Sequence, residues 1–457
     1  MKTITVYDVA RATKGDLLHA NPEKEEIKSL VTMDSRLAKK DSLFVAIKGE
    51  RVDGHDFLND VFNKGATAAI VDHVPDEITG TLIVVKDTVK ALQDLAEWYR
   101  STLNIKVVGI TGSVGKTSTK EMIASVLAEK FKVQKTLGNY NNEIGLPLTI
   151  LAIEEDTEIE VLEMGISDFG EMLVLSKIAR PDICVITNIG QSHLENLGTR
   201  DGILKAKSEI FEFMQDDARV YLNGDDDKLS TIKDVKGIKP VTFGFSDTNA
   251  IFPVKTRSLG LAGTEMSIKY GDVEFDAEIH MLGNHMVSNA MAASAIALDL
   301  GMTVSEVKNG LKNAKTIDGR SNLIKRGNGF VIDDCYNAAP SSMKAAIDTL
   351  SLAEGHKTAI LGVMFELGAV SDKMHEEVGE YAGKSNIDKF IFVGESAKFL
   401  FKGAKKTAAP GTVLKHYDTV DALLENLSSE TEADDNILLK ASNGMNFKVI
   451  LNNLIKN

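Results

Sequence analysis

The stretch VVGITGSVGKTSTKEMIASVLAEKF, from Val107 to Phe131, constrains the fold of this chain more than any other. Val107 and Val108 end a short apolar run after Ile105, which reads as a buried strand. Met122, Ile123, Val126, Leu127 and Phe131 recur at helical spacing. Between strand and helix lie Gly112, Ser113, Val114, Gly115, Lys116, Thr117 and Ser118. Glycine lets the backbone approach an anion closely, and the N–H groups of the helix start point at it. Lys116 can reach terminal phosphates, and the Thr117 hydroxyl can ligate Mg²⁺. The usual G-x-x-x-x-G-K-[ST] pattern needs glycine at position 110, where Ile110 stands. The loop is the shorter T-G-x-x-G-K-T form. A plain Gly/Ser turn before a helix is the alternative, and the strand–loop–helix context disfavours it.

The remaining sequence sets the scale. The 457 residues suggest about three domains of ordinary size. Apolar residues make up 43%, ample for real cores. A net charge of −14 argues against a nonspecific nucleic-acid binder. Cys184 and Cys335 sit in or beside apolar runs, so neither a disulfide framework nor a cysteine zinc site follows. The opening MKTITVYDVARATKG lacks an apolar signal core, and no run approaches the roughly 18 apolar residues of a membrane span. A soluble, cytoplasmic protein is the expectation.

Three blocks are expected. In residues 1–103, SLFVAIKG, TAAIVD and TLIVVKD read as strands, and TVKALQDLAEWYRSTL as an amphipathic helix capped by Thr88. Residues 104–317 open with the phosphate loop. EIEVLEMG and PDICVITNIG follow as strands around the helical EMLVLSKIAR, which argues for a parallel, doubly wound sheet. From Arg219 the pattern turns to short β-like pieces, and HMVSNAMAASAIALDLG reads as a long apolar helix. Residues 318–457 form a third α/β block with strands GFVIDD, KTAILGV, KFIFVG and NILLKA. The charged run SSETEADDN reads as a solvated loop.

Ligands of a doubly wound sheet lie at the carboxyl ends of its strands. Glu163 ends a strand there, either as a metal ligand or as a surface carboxylate. His193 follows the next strand, where it can ligate a metal or only satisfy the backbone. Lys207 is either a solvated helical lysine or an amine that takes up CO₂ as a carbamate, an anionic oxygen ligand. Past a third-block strand, Asp333, Asp334 and Asn337 can hold a ribose or a substrate. Arg320, near the block boundary, can cross to a phosphate or form a hinge ion pair.

TGSVGKTSTKEM, GNYNNEIGLPLTIL, LEMGISDFGEM, TNIGQSHLENLG, KAKSEIFEF, GRSN, DDCYNAAPSSMKAAI and GVMFELG together resemble the Mur ligases, ATP-dependent amide-bond ligases of bacterial cell-wall precursor synthesis. The resemblance runs from DSRLAKKDSLFVAIKGERVDGHDF to GVMFELGAVSDKMHEEVG. It implies an α/β protein of three domains: a UDP-sugar domain, a central P-loop ATPase domain with a mainly parallel doubly wound sheet, and a mobile C-terminal dinucleotide-fold-like α/β domain. GNYNNEIGLPLTIL and DDCYNAAPSSM point to the member that joins D-alanyl-D-alanine to UDP-N-acetylmuramoyl tripeptide.

The implied chemistry is attack of the tripeptide carboxylate on the γ-phosphate of ATP, an acyl-phosphate, and its capture by the dipeptide amine. Lys116, His193, Lys207 and Arg320 are implied as catalytic. One Mg²⁺ is implied at Thr117 and Glu163, and a second at His193 and the Lys207 carbamate. Asn289, Arg320 and Asp334 are implied on the nucleotide side, with His285 a weaker candidate. Ser35, Arg36, Arg51 and Asp53 would face the UDP-muramoyl end, Tyr140, Asn141 and Asn142 the sugar or peptide, and Asn337 the nucleotide and substrate side of the C-terminal domain. A monomer without nucleic-acid partners is also implied. The family's Lys-Gly-Ser-Arg-like turn departs here to Lys440, Ala441, Ser442 and Asn443, and no site residue is carried over onto it. Another Mur ligase, a folylpolyglutamate synthase, an ATP-binding regulatory protein and a P-loop kinase are the competing readings.

Overall fold

The structure is a computed structural model, which describes residues 1–21, 25–76 and 78–456. Three extended sheets follow one another along the chain. The first has five strands in the order Asp16–Leu18, Thr81–Val84, Ala68–Val71, Leu43–Val45 and Val31–Thr32. All its pairings are parallel except that of the edge strand Asp16–Leu18.

The second sheet has nine strands. Its centre is Lys106–Thr111, paired in parallel with Ile159–Glu163 on one side and Ile183–Ile186 on the other. Val107, Val108 and Ile110 are fully buried. A strand covered on both faces reads as a continuous apolar run, because neither face meets water. The short Arg219–Asn223 and Val241–Phe243 extend the parallel part. The antiparallel hairpin Thr264–Tyr270 and Val273–Ile279 completes one end.

The third sheet orders Asn322–Arg326, Gly329–Asp333, Asn436–Lys440, Lys357–Leu361, Lys389–Val393 and Val413–Tyr417. Only its first pair is antiparallel. Sheet and helix order match the expected α/β class with a mainly parallel central sheet. The edge strands Asn322–Arg326 and Val413–Tyr417 are additions to the sequence reading. Their NLIKR and VLKHY mix apolar and polar residues, and none of the ten is buried, unlike the continuous apolar runs of the central strands.

Two cores clamp the central sheet. On one face the loop helix Lys116–Leu127 packs with Asn284–Asp299, whose Ala290, Ala292, Ala293 and Ala297 allow close approach. The other face shares its core with the first block: Leu92, Leu95 and Tyr99 of helix Thr88–Ser101 cluster with Leu162, Leu175 and Ile186. The Tyr99 hydroxyl donates to the Ile153 carbonyl at 3.0 Å, which ties the two blocks by a buried polar contact. The third sheet has its own core on each face.

Two local expectations are corrected. Asp87, not Thr88, caps helix Thr88–Ser101: its carboxylate accepts from the Lys90 N–H at 2.9 Å, and Thr88 is already helical. A carboxylate accepts the free N–H groups of a helix start better than a hydroxyl one residue inside it. The run at 428–436 is not a solvated loop throughout. Leu427–Glu430 is helical, and Glu430 and Asp435 are buried. Glu430 pairs with Lys389 and accepts from the Tyr417 hydroxyl at 2.6 Å, while Asp435 faces His356 at 2.7 Å. Partners from neighbouring strands make those charges affordable inside.

Candidate active site

The phosphate loop follows directly from the end of Lys106–Thr111. Gly112 has φ +151°, and a Cβ there would stand 1.9 Å from Thr187 Oγ1. Gly115 has φ +83° and releases the chain into the helix at Lys116. Asn188 clamps the bend: it accepts from Val114 N–H at 3.1 Å and donates back to Val114 O at 2.9 Å. Thr187 also donates to Val114 O, at 2.7 Å, and Ser113 Oγ accepts from Gly190 N–H at 2.8 Å. Lys116 curls over the loop and donates to Gly112 O at 2.9 Å.

The loop lines a cavity of about 400 Å³ whose opposite wall comes from the third block. Val114, Ser118, Asn289 and His285 lie on the central side, and Arg320, Asp334 and Asn337 face them. Asn289 Oδ1 stands 2.9 Å from the Thr119 hydroxyl, which fastens helix Asn284–Asp299 to the loop helix. Burial holds the His285 imidazole below its ordinary pKa, so it favours the neutral form.

Next to the loop sits a group of unusual charge economy. Glu163 ends its strand opposite Ile110 and is 2% exposed. One carboxylate oxygen accepts from Asn141 Nδ2 at 2.8 Å. The other, Oε2, is buried with no hydrogen-bond partner among the described residues. Lys207, on helix Arg200–Ser208, is fully buried, and its Nζ is likewise without a partner. Burial pushes the Lys207 ammonium well down, and the Lys116 charge pushes it further. Lys116 is lowered too, by desolvation, while Glu163 and Glu366 work to keep it charged.

These residues fit a magnesium nucleotide. A hard cation takes oxygen ligands, water and phosphate oxygens, and Thr117 offers a hydroxyl while Glu163 offers an orphaned carboxylate oxygen. A buried amine without a partner, held neutral, is also the form that adds CO₂. The unpaired Lys207 is costly as it stands, and a carbamate would turn it into an oxygen donor.

Across the cavity, Asp334 is paired with Lys440 at 2.6 Å and accepts from Ser321 N–H at 3.1 Å. Asp333 accepts from Gly319 N–H at 2.9 Å and so supports the chain rather than lining the cavity. The Arg320 guanidinium stacks on Tyr336, 4.1 Å from the ring centre, and its Nε is buried without a partner among the described residues. His193 adopts φ +57°, and its Nδ1 lies 2.7 Å from the Glu366 carboxylate. Buried Lys207 lies within electrostatic reach of Lys116, and half-buried His193 pairs with Glu366, which also acts on Lys116.

Other candidates lie elsewhere. Ser35, Arg36, Arg51 and Asp53 sit on first-block loops outside this cavity. Arg36 is paired with Asp34 at 2.7 Å, and Asp53 caps His55, accepting from its N–H at 3.0 Å. Tyr140 is exposed. Asn142 accepts from Gly145 N–H at 2.8 Å and starts a helix.

Three family models match the chain: Mur ligase middle domain over residues 110–297, Mur ligase, glutamate ligase domain over 319–443, and Mur ligase family, catalytic domain over 28–100. A UDP-N-acetylmuramoyl-tripeptide–D-alanyl-D-alanine ligase of Bacillus subtilis is 40% identical, with 99% of this chain and 98% of that protein covered. The protein of that name from Escherichia coli is 34% identical over 87% of each. The chain belongs to the Mur ligase family.

Solved relatives agree with this Mur ligase over 94% or more of its length. A MurF crystal structure from Acinetobacter baumannii superposes with TM-score 0.92, at 31% identity and full coverage of both chains. A Thermotoga maritima MurF ligase in complex with ADP gives TM-score 0.82 at 30% identity, covering 94% of this chain and 98% of that one.

Sequence reasoning passed over three residues of this Mur ligase's site. Asn188, inside TNIGQSHLENLG, clamps the loop. Lys440 lines the nucleotide cavity, although the altered turn around it had removed it from consideration. Glu366 lies in GVMFELG, a segment that signalled the family without singling out a residue.

Proposed function

We propose that this Mur ligase joins D-alanyl-D-alanine to UDP-N-acetylmuramoyl tripeptide, converting ATP to ADP and phosphate through an acyl-phosphate, in peptidoglycan precursor synthesis. The observation that carries the reading is the pairing of a nucleotide-sized cavity with an orphaned carboxylate and an orphaned amine at its phosphate end. Full-length similarity to ligases of that name supports it.

ATP lies in the 400 Å³ cavity with its phosphates against Gly112–Ser118. Loop N–H groups and Lys116 draw off charge as the tripeptide carboxylate approaches the γ-phosphorus. Two anions meet only if donors surround them. Arg320 supplies a planar set of donors from the third block, and its stacking on Tyr336 pre-orients them. The carboxylate oxygen bonds to phosphorus while ADP leaves. The dipeptide nitrogen then attacks the acyl carbon, and phosphate departs with that oxygen.

Mg²⁺ held by Thr117 and Glu163, with a second ion at His193 and carbamylated Lys207, would neutralise phosphate charge. Asn289, Asp334 and Lys440 border the nucleoside and its phosphates, and Asn141 steadies Glu163. Ser35, Arg36, Arg51 and Asp53 serve the UDP end, and Tyr140 and Asn142 the sugar or peptide. Residues 1–103, 104–317 and 318–457 act as the three units, in a monomer that works in the cytoplasm without nucleic acid. No helix among the described residues is long and apolar enough to cross a membrane.

An acceptor panel tests the proposal. With Mg-ATP and the UDP-muramoyl tripeptide, D-alanyl-D-alanine gives a pentapeptide product and phosphate. Single amino acids do not. A single amino acid as preferred acceptor, or folate glutamylation, overturns it.

A further inference from the structure

Glu366 lies outside the lining of the nucleotide cavity. It lines a second cavity, of about 260 Å³, whose walls are otherwise small, apolar or neutral apart from His193. Phe365, Leu367, Ala338 and Ala339 give it an apolar side. Glu366 is the only carboxylate among the residues lining it. Pockets for drug-sized ligands run from about 300 to 1,000 Å³, so this one suits a smaller guest. It adjoins the nucleotide cavity: Ser192, Asn337, Ala338 and Ala339 line both.

The backbone at Glu366 is strained, with φ +62°. For a non-glycine residue that costs about 1–2 kcal/mol, and such strain persists only where the surroundings hold it. Two buried side chains do so. His375 Nε2 accepts from Met364 N–H at 2.9 Å, and Ser442 Oγ accepts from Phe365 N–H at 2.9 Å. His375 is fixed in turn by donation from its Nδ1 to Ser371 O at 2.8 Å. The glutamate they present keeps 58% of its side chain exposed, so its position is not a matter of packing. It already meets the His193 imidazole at 2.7 Å, and it acts electrostatically on Lys116 across the boundary between the cavities.

We propose that Glu366 is the binding group for the ammonium of the acceptor dipeptide, which it holds at the junction of the two cavities. This rests on the amide-ligase function above and names the group that receives the acceptor. A nitrogen tethered to Glu366 stands beside the phosphate end of the nucleotide cavity, where the acyl carbon is generated. The alanine methyl groups then meet Phe365, Leu367 and the two alanines. Because the recognised feature is a positive charge, an analogue with hydroxyl in place of the amine loses the contact.

The test uses the full chain with Mg-ATP, UDP-muramoyl tripeptide and D-alanyl-D-alanine, and compares wild type, Glu366→Gln and Glu366→Asp. A charge-assisted hydrogen bond of this kind corresponds to about tenfold or more in affinity. Glu366→Gln raises the KM for the dipeptide at least that much, while the KM values for ATP and UDP-substrate stay within twofold. Glu366→Asp recovers part of the loss. Wild type binds the dipeptide better than D-lactyl-D-alanine, measured as a competitive inhibitor, and Glu366→Gln abolishes that preference. An unchanged dipeptide KM in Glu366→Gln overturns the assignment, as does a selective shift in Mg²⁺ requirement. Wild type without dipeptide-dependent product overturns the amide-ligase function itself, and is read separately from the variants.

Discussion

His193 Nδ1 and the Glu366 carboxylate meet at 2.7 Å across the line between the central and third sheets, and both residues have positive φ, +57° and +62°. Two non-glycine residues held left-handed against each other are more than a surface ion pair. Glu366 is 58% exposed, so the pair adds at most about 1 kcal/mol to stability. His193→Gly relieves the backbone strain and loses that pair. The expected outcome is a melting temperature close to wild type with kcat/KM reduced more than tenfold, by thermal denaturation and steady-state assay.

Lys207 gives the opposite pattern. It is fully buried, without a partner among the described residues, and held well below its ordinary pKa by burial. Lys207→Met replaces an unsatisfied buried amine by an apolar chain of similar length. In protein without CO₂, that variant is about 1–3 kcal/mol more stable than the unmodified lysine, by the cost of an unpaired buried polar group. Its turnover is lost, and a small carboxylate such as formate restores part of it. Calorimetry in CO₂-free buffer and activity with added formate check the two halves.

Gly112→Ala weakens nucleotide binding. Its Cβ would stand 1.9 Å from Thr187 Oγ1, and the hydroxyl cannot swing away without losing its bond to Val114 O. Titration with a fluorescent ATP analogue is expected to show affinity reduced at least tenfold, while far-UV circular dichroism is unchanged.

Lys440→Ala strips Asp334 of its partner at 2.6 Å, where the two side chains are 2% and 13% exposed. Removing one member of a buried pair costs about 3–5 kcal/mol. The same change raises the KM for ATP, because Lys440 and Asp334 line the nucleotide cavity. Denaturant titration and an ATP-dependence curve read both.

His375 and His285 are both held below the ordinary histidine pKa by burial. On acidification through about pH 6.5, the unfolded chain takes up protons first. Between that value and the lowered folded pKa the unfolded state binds more protons, so stability falls as pH falls; above about 6.5 they add no slope. His375→Gln is expected to flatten the acid limb of stability against pH, followed by urea midpoints.

The sequence spoke clearly where one physical signal dominated. The phosphate loop was legible because glycine at 112 and 115 has a backbone task, and the central strands because both faces are covered. Edge strands such as Val413–Tyr417 were not, since five residues that are all partly exposed and do not alternate give a faint signal. Lys207 could be raised above a solvated helical lysine only through the resemblance: nothing in KAKSEIFEF says which lysine is swallowed by the core. Glu366 and Lys440 act through partners far along the chain, His193 and Asp334, and no local pattern records such a meeting.

The central claim is that the phosphate loop serves to activate a carboxylate. The most direct measurement supplies UDP-muramoyl tripeptide labelled with ¹⁸O in its terminal carboxylate, together with Mg-ATP and D-alanyl-D-alanine, and weighs the released phosphate. Carboxylate attack on the γ-phosphorus places one labelled oxygen in each phosphate. Phosphate free of label, released while the amide forms, would contradict the account.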